Sequence, residues 1–180
     1  MRYNIYNKRV LKNINDDVRI TKDSLELLNK LIEYLLIKLT RTANKFSCVK
    51  KTLMTRDISK AMCVLYSGEL KDKTNKHSER SVKVYSTYTD NSSDKRVRKE
   101  VKAGLVFSVS KIESEMLKYS IFTRRQDTTG IIMTSIIEYT IAEILRVSIT
   151  KLNKKTITAN HIRNVLSNDL ELRNLFIDFY

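Results

Sequence analysis

Proline is absent from this 180-residue chain, and glycine occurs only at Gly68, Gly104 and Gly130. Both residues punctuate tight turns, so their scarcity argues against a hairpin-rich β fold and favours long helices. Cys48 and Cys63 are the only cysteines. They form no Cys-x-x-Cys pattern, and His77 and His161 are not spaced as their partners, so neither a disulfide nor a zinc centre is expected. Both cysteines are expected to pack in helices. No run approaches the roughly 18 uncharged apolar residues of a membrane span. The opening MRYNIYNKRV has neither the apolar stretch nor the small-residue cleavage site of a signal peptide. The chain is therefore expected on the reducing side of a membrane, or inside a particle assembled there, with no membrane partner. A glycine-rich phosphate loop, a supported acid pair and a Ser/His/Asp order are also missing. No enzyme activity and no cofactor are expected.

What is present is positive charge. Thirty-four Lys and Arg stand against 20 Asp and Glu, a net +14. Such a balance suits a dense polyanion, nucleic acid before an anionic membrane surface. The plainer alternative is a soluble protein with a basic surface. Hydrophobic residues make up 42% of the chain, enough for a core.

Apolar spacing predicts an all-α fold. Tyr3 to Ile14 reads as a short helix, broken by the Asp/Asn turn at 15–19. With Thr21 as N-cap, a long helix follows from Lys22 to Cys48, its Leu25, Leu28, Ile32, Leu35 and Leu39 recurring at helical spacing. After the basic loop Lys50-Lys51-Thr52, Thr55 caps a short helix to Tyr66, and Leu70 to Tyr88 is more polar. Asp90 to Lys102 lacks a hydrophobic period and reads as a linker. The order then repeats. Val109 to Tyr119 is short, 122–130 is a polar loop with Arg124 and Arg125, and Gly130 to Asn153 is a second long, apolar helix. The basic loop at 153–156, the helix Ala159 to Leu166 and a last helix at Asp169 to Phe176 complete it. A single short–long–short unit leaves its long helix uncovered; two clasped units bury both.

The motifs resemble a known family. Residues 103–112 (AGLVFSVSKI), 137–145 (IEYTIAEIL), 153–156 (NKKT) and 168–172 (NDLEL) are similar, in order, to histone 2A. Tyr3-Asn4-Ile5-Tyr6 with Val10-Leu11-Lys12, Thr55-Arg56-Asp57-Ile58 and Gly68-Glu69-Leu70 resemble histone 2B. The whole looks like a fused histone doublet of the marseillevirus type of giant DNA virus. Its usual prolines are replaced by Asp16, Ser67, Ser108 and Gly130. The resemblance implies a 2B-like fold at 1–89, a linker at 90–102 and a 2A-like fold at 103–180 with a truncated docking segment. The two would pair head-to-tail in an intramolecular handshake. It further implies that the fold starts almost at Met1, without a lysine-rich tail.

Such a pair would wrap double-stranded DNA with a histone 4–histone 3-like doublet and a second copy of itself, in a virion, host nucleus or cytoplasmic viral factory. The resemblance places Lys50, Lys51 and Thr52 beside Arg124 and Arg125 at one edge. At the other it places Lys154, Lys155 and Thr156 beside Arg19. Lys8, Arg9, Lys12 and Lys111 lie between. It also implies an acidic patch of Glu69, Glu138, Glu143, Asp169 and Glu171, weakened because family acids inside it have become Arg146 and Leu170; a third family acid has become His77. His161 is expected to be structural. Phe176, Phe179 and Tyr180 form an apolar end, either a reduced dock or a cap on the domain's own core. Two rival functions stay open: a histone-fold architectural or transcription factor that forms no octamer, and a scaffold for cellular histones or chaperones.

Overall fold

The computed structural model describes residues 3–46, 52–91, 97–151 and 155–179. The described residues are mostly helical, and the all-α expectation holds. In chain order they form α1 (Asn4–Ile14), β1 (Arg19–Ile20), α2 (Lys22–Lys45), β2 (Thr52–Leu53), α3 (Thr55–Leu65) and α4 (Gly68–Asn91). There follow α5 (Lys99–Lys102), α6 (Val109–Tyr119), β3 (Arg124–Arg125), α7 (Thr129–Thr150), β4 (Thr156–Ile157), α8 (Ala159–Asn168), α9 (Leu170–Leu175) and a 3-10 turn at Ile177–Phe179. Among the described residues no helix is long and apolar enough to cross a membrane.

The chain packs as two compact units, and neither coincides with a sequence half. One comprises Met1–Tyr34 and Tyr139–Tyr180; the other is Leu35–Glu138. Their boundaries fall inside α2 and α7.

The first unit buries Leu28, Leu31 and Ile32 of α2, Ile141, Ile144 and Leu145 of α7, and Ile162, Val165 and Leu166 of α8. Three amides secure α1 to α2. Asn29 Nδ2 donates to Asn4 Oδ1 at 2.6 Å, and Asn7 Nδ2 donates to Asn29 Oδ1 at 3.3 Å. The apolar end belongs to this core as far as it is described. Phe176 is fully buried, and its ring lies 5.7 Å from Tyr34, with Phe179 edge-on to Tyr34 at 5.4 Å. Tyr180 lies outside the described residues.

The second unit buries Leu35, Leu36 and Leu39 of α2, Ile58 and Met62 of α3, and Ile112 and Met116 of α6. Every residue of α7 from 131 to 138 is buried. A helix apolar on all sides must be covered on all sides. Tyr85 of α4, Ala103, Leu105, Val109 and Ile131 form one cluster there, with Val82 against it.

Several element bounds depart from the sequence pattern. α2 ends at Lys45 rather than at Cys48, which lies outside the described residues, and α7 ends at Thr150 rather than Asn153. α4 starts at Gly68, where Glu69 of its first turn pairs with Lys73 at 2.7 Å, and runs to Asn91. The expected linker is helical over α5. Gly104, with φ +67, ends that turn: its N–H donates to Val101 O and the Leu105 N–H donates to Glu100 O. This is the paired C-terminal closure that a left-handed glycine permits. Met54, not Thr55, precedes α3; its N–H donates to the Asp57 carboxylate at 3.0 Å, and Thr55 is the first helical residue. Cys63 lies on α3 but is exposed.

Candidate nucleic-acid interface

The polar loops carry two parallel strand pairs. β1, which precedes long helix α2, pairs with β4, which follows long helix α7. β2, which follows α2, pairs with β3, which precedes α7. Each pair lies within one unit. In each, an arginine faces a threonine in register: Arg19 opposite Thr156, and Arg124 opposite Thr52. Both arginines are exposed.

At the β1–β4 edge, the Arg19 N–H donates to Lys155 O at 2.8 Å and the Thr21 N–H to Ile157 O at 3.1 Å. The Ser24 hydroxyl also donates to Ile157 O at 3.1 Å, tying α2's first turn to β4. Parallel strands carry the chain the same way, so α2 and α8 both start here. Their starts are satisfied by neutral groups. The Ser24 N–H donates to Thr21 Oγ1 at 3.4 Å, as Thr21's expected capping role requires. The Thr158 N–H donates to His161 Nδ1 at 3.1 Å, which gives His161 a capping role. Asp23, exposed in α2's first turn, is the acid there. Lys8, Lys12 and Arg19 line one groove of about 330 Å³ with Leu11, Asp16, Val18 and Ile20. Lys12 Nζ lies 3.5 Å from Asp16 Oδ1. Arg9 is exposed on the same helix.

At the β2–β3 edge, the Gln126 N–H donates to Leu53 O at 3.0 Å, and the Thr129 hydroxyl donates to the same oxygen at 3.3 Å. Thr55 donates from both its N–H and its hydroxyl to Gln126 Oε1, and its Oγ1 lies 2.7 Å from Thr128 Oγ1. Carboxylates stand close behind. Glu113 of α6, its side chain 6% exposed, lies 3.4 Å from Arg125 Nη2 and 3.5 Å from Lys99 Nζ. Lys99 also meets Asp127 Oδ1 at 2.5 Å, and the Tyr85 hydroxyl donates to Asp127 Oδ2 at 2.6 Å. Burial pushes the Asp127 carboxyl up, but the bonds from Lys99 and Tyr85 and the nearby cations outweigh it and hold it below the usual range. Burial, then the bond to Asp127, pushes the Tyr85 hydroxyl up to about 12. Glu113 fits because residue 130 is glycine: a Cβ there would overlap its side chain.

The structure thus brings together Thr52 with Arg124 and Arg125, Lys155 and Thr156 with Arg19, and Lys8 and Lys12 with Arg19. Lys50, Lys51 and Lys154 lie outside the described residues. Lys111 is half-buried on α6.

The acidic patch needs correction at Glu138. Its carboxylate is buried, 7% exposed, and accepts the N–H groups of Val106 at 2.8 Å and Phe107 at 2.9 Å. It satisfies backbone ahead of α6 and presents no surface charge. Burial pushes its carboxyl above the usual range, against those two bonds. Glu143 is half-buried and bonded to Arg146 at 3.0 Å, with Arg146 over the Tyr139 ring. Asp169 accepts the Leu172 N–H at 2.9 Å as the cap of α9. Glu69 is exposed beside Lys73, which holds its carboxyl below the usual range, and Glu171 is half-buried in α9. His77 Nδ1 lies 2.8 Å from the buried Ser135 hydroxyl. Among the described residues no group of His, Cys, Asp and Glu is arranged to hold a metal.

Sequence spacing did not reveal the Glu113–Lys99–Asp127–Tyr85 network. Its members come from four separate segments, and the one visible sign was glycine at 130.

Comparison with known proteins covers part of the chain. Residues 2–64 match the family model described as the core histone domain, the one common to histones 2A, 2B, 3 and 4. The chain is 32% identical over 81 residues to histone H2AX of Dictyostelium discoideum, a stretch covering 43% of this chain and 53% of that protein. It therefore spans about half the length of that curated relative. Over residues 2–64 the chain is thus similar to core histone domains.

Proposed function

We propose that this protein packages double-stranded DNA as a histone doublet. A 2B-like fold at 1–89 and a 2A-like fold at 103–180, joined through 90–102, pair within one chain. With a histone 4–histone 3-like doublet and a second copy of itself it wraps DNA in a nucleosome-like particle. The particle belongs to a virion, a host nucleus or a cytoplasmic viral factory. Joining the halves raises their effective concentration and fixes their ratio at one to one.

The observation that carries the reading is the repeated edge. Two parallel strand pairs each set an exposed arginine opposite a threonine beside helix starts, in a chain of net charge +14. Helix N-termini and their N–H groups attract phosphate. Arginine held at such a surface enters a minor groove without reading bases. The reciprocal topology, in which the strand before each long helix pairs with the strand after the other, supports the clasp of two short–long–short motifs. Enzyme activity forms no part of the reading.

Two measurements test it. DNA affinity should fall steeply with salt, with a slope of about −0.9 per phosphate neutralised. Reconstitution with a 4–3-like doublet on DNA, followed by nuclease digestion and imaging, should give discrete protected particles. DNA binding without co-assembly would instead favour an architectural factor, and weak, salt-insensitive binding a scaffold for other proteins.

A further inference from the structure

The geometry points to Glu113 as an internal competitor for phosphate that withholds Arg125 from DNA and leaves Arg124 to make the contact. This rests on reading the β2–β3 edge as a DNA-contact surface. Three observations lead to it.

Glu113 packs against Gly130 in the first turn of α7, in space that exists because residue 130 has no side chain. A helix start carries partial positive charge and is where an external phosphate would otherwise settle. An internal carboxylate already lies beside it, its Oε1 accepting no hydrogen bond.

Glu113 also takes up cations that would serve that phosphate. It lies 3.4 Å from Arg125 and 3.5 Å from Lys99, while Asp127 binds Lys99 from the other side at 2.5 Å. Its side chain is 6% exposed, against 35% for Arg125. Drawing Arg125 away would leave a buried carboxylate short of a partner, which is costly.

Finally, Arg124 and Arg125 are consecutive in a strand. Neighbouring strand residues point to opposite faces. With Arg125 turned to Glu113, Arg124 faces the other way, and among the described residues it makes no ion pair.

The test uses the full chain and short duplex DNA of arbitrary sequence, titrated at several salt concentrations. Glu113→Gln keeps the shape packed on Gly130 and removes the charge. Affinity should rise several-fold, and the salt slope should steepen by about 0.9, one further phosphate. Arg125→Ala should weaken binding less than Arg124→Ala does, and added to Glu113→Gln it should cancel the gain. A gain that survives Arg125→Ala overturns the inference, because it reflects only the loss of negative charge. A fall in affinity on Glu113→Gln overturns it too, because Glu113 would then be aiming Arg125 at DNA. Unchanged affinity in Glu113→Gln counts against it equally. If Glu113→Gln loses its cooperative thermal transition, the single arginine variants decide: a smaller loss of affinity in Arg125→Ala than in Arg124→Ala supports the inference, and an equal or larger loss overturns it. If Arg19→Ala and Arg124→Ala both leave affinity and slope unchanged, the DNA reading itself fails and the inference falls with it.

Discussion

The two strand-paired edges share a plan and differ in chemistry. The β1–β4 edge is fastened by uncharged groups: the hydroxyls of Thr21 and Ser24, and the imidazole of His161. The β2–β3 edge also has hydroxyl and amide bonds, but it is backed by Asp57, Glu113 and Asp127. Its unit relies on another carboxylate at Glu138. One edge satisfies its helix starts with neutral groups, with Asp23 and Glu26 nearby; the other uses carboxylates. The same backbone pattern can therefore serve as a ready grip or as a restrained one, depending on where the acids are.

The sharpest way to break this contrast is at Glu138. Glu138→Ala would leave the N–H groups of Val106 and Phe107 without their acceptor and should cost about 2–4 kcal/mol by denaturant unfolding. Glu138→Gln keeps an acceptor and should cost nothing at neutral pH. A large loss in Gln as well would show that charge, not acceptance, matters there.

Gly130→Ala should come next. It places a methyl in the Glu113 side chain and should lower stability by about 1–3 kcal/mol. Thermal unfolding checks this, and the double change Gly130→Ala with Glu113→Ala should recover part of the loss.

Acid should act in opposite directions on two carboxylates of the 35–138 unit. Asp127 has a folded pKa below its ordinary 3.8, so its contribution is present above that value and lost as pH falls through the lowered one. Glu138 runs the other way. Its folded pKa lies above 4.5, so its contribution is greatest below 4.5 and is lost as pH rises through the raised value. Hydrogen exchange at descending pH should loosen the Asp127 network while the amides of Val106 and Phe107 stay protected. Loss of protection at Thr21 and Ile157 before Gln126 would undo the contrast between the edges.

The smallest expected effect is Ser24→Ala. Losing its bond to Ile157 O should cost about 1 kcal/mol, with no pH dependence over the acid range. Unfolding curves at two pH values would check both parts.

The helices were legible in the sequence because burial imposes a period. Leu28, Ile32, Leu35 and Leu39 announced α2, and the near-continuous apolar run from Ile131 to Ile137 announced α7. The loops were legible as basic, but the strand pairing within them was not. Two-residue strands such as Thr52–Leu53 have no period to read, and their partner lies far along the chain. Glu138 was misread because its identity matched a surface acid, whereas only coordinates show a carboxylate turned to buried backbone. Glu113 was invisible for a related reason: its role depends on Gly130, Lys99 and Arg125 meeting in space.

The division of the chain also bears on the order of synthesis. The unit at 35–138 is continuous in sequence and can close once its own residues have left the ribosome. The other unit joins 1–34 to 139–180, and its Ser24–Ile157 bond spans 133 residues. Contacts that distant form late, because the intervening chain must be confined first. The α1–α2 start therefore waits, with its apolar face uncovered, until residues 139–180 arrive. During that interval the nascent chain is a client for a chaperone or an aggregation risk, and Arg19 acquires its Thr156 partner only once the second segment has been made.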